Sequence, residues 1–194
     1  MNGPAKKSLA WKIAVTAILL ALCIVSQFFK SLSVYITGPI VNLCLITAVM
    51  TAGMLWGVVL AVITPVTAFI IAASPVMSAV PGIIPLIMLG NVTLVFMVNF
   101  LFKPAVSGGK PLISVRSVAA AVLSCLAKGC VMGLTIALWL LPSFIPQGSP
   151  LREKLPVFQV MFSVTQFITA VIAFIYFFII WKPLGGALKT QIDQ

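Results

Sequence analysis

Apolar residues fill this chain in long unbroken blocks, with polar positions gathered at the block ends or recurring every three to four residues inside them. Residues 31–102 carry no charged side chain at all. A helix that crosses a bilayer needs about 20 apolar residues, so that stretch alone predicts three crossings. Residues 13–29, 117–142 and 155–181 predict three more. Proline and glycine divide the uncharged run. Gly38-Pro39 opens a second helix, GMLWG (53–57) makes a tight turn into a third, and Ser74-Pro75 through Pro81-Gly82 form the next loop. KPAVSGGKPL (103–112) and PSFIPQGSPLREKLP (142–156) read as further loops, and Thr64-Pro65 predicts a break in the third span. The expected fold is all-α integral membrane: one membrane domain over 1–194, with helices near 9–30, 39–56, 57–73, 83–102, 116–142 and 156–181.

Composition supports that class. The chain is 62% hydrophobic and 7% charged, with a mean hydropathy of +1.24, which excludes an ordinary soluble domain. A net charge of +10 would suggest nucleic acid in a soluble protein. Here the bases sit at helix ends, where they set topology and meet anionic lipid, so no nucleic-acid partner is expected. One side receives Lys6, Lys7, Lys12, Lys103, Lys110, Arg116, Lys182 and Lys189; the other receives Lys30, Arg152 and Lys154, with Glu153 among them. The positive-inside rule then predicts both termini in the cytoplasm and loops 31–38, 73–82 and 142–156 outside, long enough to form a lid. The N-terminal lysines followed by an apolar stretch mimic a signal peptide. Leu22 before Cys23 is too bulky for a lipoprotein site and no A-x-A follows, so helix 1 is expected to be retained.

Several chemistries drop out. There is no histidine, which removes His-based zinc sites and the Ser-His arrangement. Cys23, Cys44, Cys125 and Cys130 form no CxxC pair and read as small packing residues. LGGALKT (184–190) lacks the spacing and preceding strand of a phosphate-binding loop. The expectation is a protein that is not an enzyme, hydrolyses no ATP itself, and uses neither cofactor nor metal.

Polar residues inside the apolar blocks mark faces. In helix 5, Ser117, Ala121, Ser124, Lys128, Met132, Thr135 and Trp139 form one stripe, flanked by the small-residue stripe Cys125, Gly129, Gly133. Helix 6 offers Gln159, Ser163, Gln166 and Ala170; helix 4 offers Asn91 and Asn99; helix 2 begins with Asn42. Amides and hydroxyls in hydrocarbon require partners, so these faces should converge inside the bundle. Lys128 is the sharpest case. It lies about 18 Å along the helix beyond Arg116, and its charge costs about 2.5–3.5 kcal/mol at mid-membrane. The only acids are Glu153 and Asp193, both outside the apolar blocks. Two readings stay open: pairing with asparagine or backbone carbonyls, or a site completed by an anionic or strongly acceptor-bearing ligand, which is favoured.

Helix 1, KIAVTAILLALCIVSQFF (12–29), carries Ala14, Ala17 and Ala21, with an AxxxA step from Ala17 to Ala21. It resembles the first helix of the substrate-binding S components of energy-coupling factor (ECF) vitamin transporters. The resemblance extends through TGPIVNLCLITAVMTAGMLWGVVLAVITP (37–65) and PLIMLGN (85–91) and through the six-helix layout. It implies a multi-pass protein of a prokaryotic plasma membrane that captures a vitamin or related micronutrient outside. It also implies docking through Ala14, Ala17 and Ala21 onto a transmembrane T component carrying two cytoplasmic ATPase subunits.

The substrate-binding candidates are Lys128, Asn91, Asn42, Ser124, Trp139, Gln159, Gln166 and Tyr35, with Trp56 as a further ring for stacking. Trp and Tyr at span ends equally serve as interfacial anchors. Two other classes are open: a secondary transporter or channel using Lys128 in a translocation path, and a structural membrane protein of the cell-shape machinery that binds no small ligand.

Overall fold

The computed structural model describes residues 8–29, 33–107 and 110–190, with 182–190 described as backbone only. Every element among them is helical. Six helices are long and apolar enough to cross a membrane: α1 (Leu9–Phe28), α2 (Val34–Thr51), α3 (Met54–Ala72), α4 (Ile83–Val106), α5 (Val115–Phe144) and α6 (Leu155–Trp181). This is the architecture of a multi-pass helical membrane protein. Lys6, Lys7, Lys30, Lys182 and Lys189, counted above for topology, lie outside the residues whose side chains are described. The backbone through 184–190 continues the last helix, so that glycine pair belongs to no phosphate loop.

Several boundaries differ from the sequence reading, each for a local reason. α2 starts at Val34 instead of 39, because Ser33 caps it by accepting from the Tyr35 amide at 3.1 Å. Pro39 then sits inside the helix, where it forfeits one backbone bond. The α2–α3 turn comes at Ala52-Gly53, and Gly53 alone among the described residues has positive φ, at 103°. Gly57, expected in that turn, is a packing glycine instead: a Cβ there would meet Val49 Cγ2 at 2.6 Å. α3 does not break at Thr64-Pro65 but runs on to Ala72. The break falls in α6 instead, at Ser163, whose φ and ψ are −122° and −86°.

α4 and α5 each carry a π-helical segment, Val98–Phe102 and Gly133–Leu140, and each segment ends two residues before a proline, Pro104 or Pro142. In α5 the wide register has a traceable consequence. The Leu141 amide donates to Ile136 O, five residues back. The same step from Ala137 O leads to Pro142, which has no N–H. The orphaned carbonyl is taken by the Gln159 side chain of α6 at 3.0 Å. Arg152 performs a similar task in the following loop, donating to Pro142 O at 2.8 Å and Ile145 O at 3.1 Å.

α2 is the most buried span, packed on α1, α3 and α6, while α5 packs on α4 and α6. Lipid gives no hydrophobic drive to helix association, so close packing must supply it. The stripe Cys125, Gly129, Gly133 does so: a Cβ added at Gly129 would lie 3.1 Å from Phe167 Cβ and one at Gly133 3.2 Å from Ser163 Cβ, both tight contacts. At the end holding the start of α1 and the close of α6, Phe102 packs edge-on against Phe174, Phe177 and Phe178. A second apolar cluster around Val76, Ile83, Met132, Ile136 and Leu141 fills the space between α4 and α5 at the other end.

Candidate functional site

Lys128 is 2% exposed, buried in the middle of α5. Its ammonium donates to Asn42 Oδ1 of α2 at 2.5 Å and to Asn91 Oδ1 of α4 at 2.8 Å. An ammonium has only donors, so it forces both amides to turn their oxygens inward and their NH2 groups away. The Asn42 NH2 then donates to Thr169 Oγ of α6 at 3.4 Å, and the Thr169 hydroxyl passes on to Gln166 O at 3.1 Å. The Asn91 NH2 makes no hydrogen bond among the described residues. One lysine thus links four helices and fixes the orientation of two amides.

Those amides face a cavity of about 610 Å³, within the range of small-molecule sites. It sits between the closing turns of α1 and α3 and the opening halves of α2, α4 and α6, roofed by Ser74 and Met77. Gln27, Thr37, Asn42, Thr64, Asn91 and Gln166 supply its polar wall; Phe28, Val41, Pro65, Ile87, Met161 and Phe162 supply much of the apolar one. Among the described residues no charged side chain lines it. Lys128 stands one layer behind, screened by Asn42 and Asn91, with no acidic partner among the described residues.

The sequence candidates therefore separate. Lys128, Asn42, Asn91 and Gln166 come together around the cavity. Ser124 is buried beside the lysine but donates to Ala120 O within its own helix. Gln159 is occupied with the carbonyl of Ala137. Trp139 and Tyr35 are 58% and 53% exposed and lie off the cavity wall. Trp139 instead packs edge-on against Phe144. Trp56, in the first turn of α3, is at the far end of the bundle from the cavity.

Sequence reasoning passed over Gln27. It lies near the end of α1, where an amide reads as an interfacial residue. In the fold it is 1% exposed and on the cavity wall. Its NH2 donates to Thr64 O at 3.0 Å, and its Oε1 has no partner among the described residues. The signal available was an uncapped amide inside an apolar helix, the same signal that singled out Asn91.

Ala14, Ala17 and Ala21 are all exposed along one face of α1. Cys23, Cys44 and Cys125 are buried free thiols and Cys130 is an exposed one. Comparison with known protein families, with curated proteins and with solved structures finds no match to this chain.

Proposed function

We propose that this chain is the substrate-capture subunit of an ECF-type importer for a vitamin or related micronutrient. The observation that carries the reading is the cavity of about 610 Å³ at one end of the bundle, walled by amides and hydroxyls set in apolar surface. Such a mixture suits a ring-bearing solute with a few polar groups. The positive charge of Lys128 behind Asn42 and Asn91 favours an acceptor-bearing or anionic group on that side and disfavours a cation. The basic residues Lys12, Lys103, Lys110 and Arg116 cluster at the opposite end, which on the positive-inside rule turns the cavity outward and both termini toward the cytoplasm.

Beneath the cavity the bundle is filled by packed apolar side chains, among them Leu45, Leu94 and Phe102. Capture from one side with release by movement of the whole subunit fits that arrangement better than a channel. Energy would come from a T component and two ATPase subunits docked on the exposed face of Ala14, Ala17 and Ala21, where small side chains permit close helix approach. The test is purification of the tagged chain from its own cells, with mass spectrometry of retained small molecules and of co-purifying subunits. Retention of a vitamin-like compound together with ATPase subunits is expected. A protein that carries neither, even after dialysis against B vitamins, would instead suit the structural role in cell shape.

A further inference from the structure

Gln27 is the one buried side-chain atom set in the described bundle that lacks a complement: its Oε1 has no hydrogen-bond partner. A buried acceptor left unmade costs about 1–3 kcal/mol, so a sequence retains one only for a reason. Its orientation is not arbitrary. The alternative amide rotamer would set Oε1 against Thr64 O, an acceptor that already receives the Thr67 hydroxyl at 3.0 Å. The same wall holds a complementary donor, the Asn91 NH2, which makes no hydrogen bond among the described residues and whose oxygen is held inward by Lys128.

We infer that the cavity takes a dipolar solute: an N–H or O–H donor directed at Gln27 Oε1, and a carbonyl, ring-nitrogen or carboxylate acceptor directed at Asn91. This rests on the capture reading and deepens it to a ligand class and an orientation. Gln27 is then a specificity-determining residue. A carboxylate against its Oε1 would meet like dipoles, so any anionic group of the solute belongs on the asparagine side, where the lysine charge stands behind it. Among the described residues the wall at Gln27 is neutral and accepts a donor without requiring it to be a cation, and Lys128 makes a cation unfavourable.

The experiment uses the full chain in detergent, dialysed against an equimolar mixture of riboflavin, thiamine, biotin, pantothenate, nicotinate and folate, with the bound fraction read by mass spectrometry. Wild type, Gln27→Met and Gln27→Glu are compared, and each is melted without the mixture. The expected result is one retained compound bearing both a donor and an acceptor. Its retention should fall about tenfold in Gln27→Met, the equivalent of roughly 1.4 kcal/mol, while the empty variant melts no lower than wild type. Gln27→Glu, whose neutral carboxyl can donate its O–H to Thr64 O and keep a carbonyl acceptor of the same length, should retain more of the compound than Gln27→Met. Equal retention by wild type and Gln27→Met overturns the inference and leaves the capture function standing. So does a lower melting point of empty Gln27→Met with unchanged retention, the mark of a structural glutamine. A wild type that retains nothing overturns the capture function itself, and this inference with it.

Discussion

Replacing Lys128 by methionine separates what the lysine does for the fold from what it does for the cavity. Methionine keeps the unbranched stem and removes the charge. Three terms decide the effect on stability. Relief from burying an ammonium at mid-membrane is worth about 2.5–3.5 kcal/mol. Against it stand two charge-assisted hydrogen bonds, to Asn42 at 2.5 Å and Asn91 at 2.8 Å, worth about 1.5–3 kcal/mol each. With the ammonium gone the two amides are free to rotate and carry their oxygens to the cavity side, so the penalty for orphaning them is small. That relief offsets much of the two bonds, together about 3–6 kcal/mol, and the empty protein should lose no more than about 3.5 kcal/mol of stability. Binding has no such compensation. Without the ammonium nothing holds the Asn91 NH2 toward the cavity, and the positive potential behind the wall is lost. Affinity should fall by about 0.5–1.5 kcal/mol, the net worth of one oriented hydrogen bond, since the lysine does not itself touch the solute. Since the lysine acts through the asparagines, Lys128→Met and Asn91→Leu together should cost less than the sum of the two singly. The assay is a melt of each empty protein and a retention measurement in the vitamin mixture on the same preparations. A Lys128→Met protein that loses more than about 3.5 kcal/mol when empty, or that binds as tightly as wild type once folded, would refute the reasoning.

The other predictions concern the frame around the cavity. Ala17→Trp or Ala21→Trp should abolish co-purification of the T component and ATPase subunits while leaving retention of the small molecule intact, because both side chains are exposed on α1 and far from the cavity wall. Unchanged assembly would remove the docking assignment. Reporter fusions after Gln194 and within 145–150 should give opposite signals, cytoplasmic for the first; an external C-terminal signal would reverse the orientation. Gln159→Leu should lower the melting point by the equivalent of about 1–3 kcal/mol, since Ala137 O is left without a donor beside Pro142; an unchanged melt would mean another donor serves that carbonyl. Gly38→Ala would place a Cβ 2.8 Å from Thr169 Cγ2, and the overpacking, about 1–3 kcal/mol, should outweigh the roughly 1 kcal/mol gain in helix propensity. Because Thr169 supports Asn42, binding should weaken as well; a more stable variant with full retention would show that the site relaxes.

By itself the sequence determined the class of protein, the number of spans and the identity of the polar hub. Charge-free blocks of bilayer length permit only helices that satisfy their own backbone, and those survive any detail of packing. It also marked the face of α5 as far as Met132: Ser117, Ala121, Ser124, Lys128 and Met132 are buried, whereas Thr135 and Trp139 of the same stripe turn out half-buried and exposed in the π segment. The convergence of Lys128, Asn42 and Asn91 followed from the rule that polar groups in hydrocarbon seek one another. Only tertiary structure decided that two asparagines pair the lysine, where a direct ligand contact was the favoured reading, because Asn42 and Asn91 lie on other helices whose rotation no local pattern specifies. The same holds for Gln27 and Thr64, brought together from α1 and α3 by the packing of these spans. Breaks were misplaced for a related reason: Pro65 is absorbed within a continuous α3, while the interruption falls at Ser163, where α6 must accommodate the π segment of α5 at Gly133. The aromatic residues Tyr35 and Trp139 had the composition of a ligand site, yet lie off the cavity wall. Ring chemistry is visible in a sequence; which way the ring faces depends on how the helices are turned against one another.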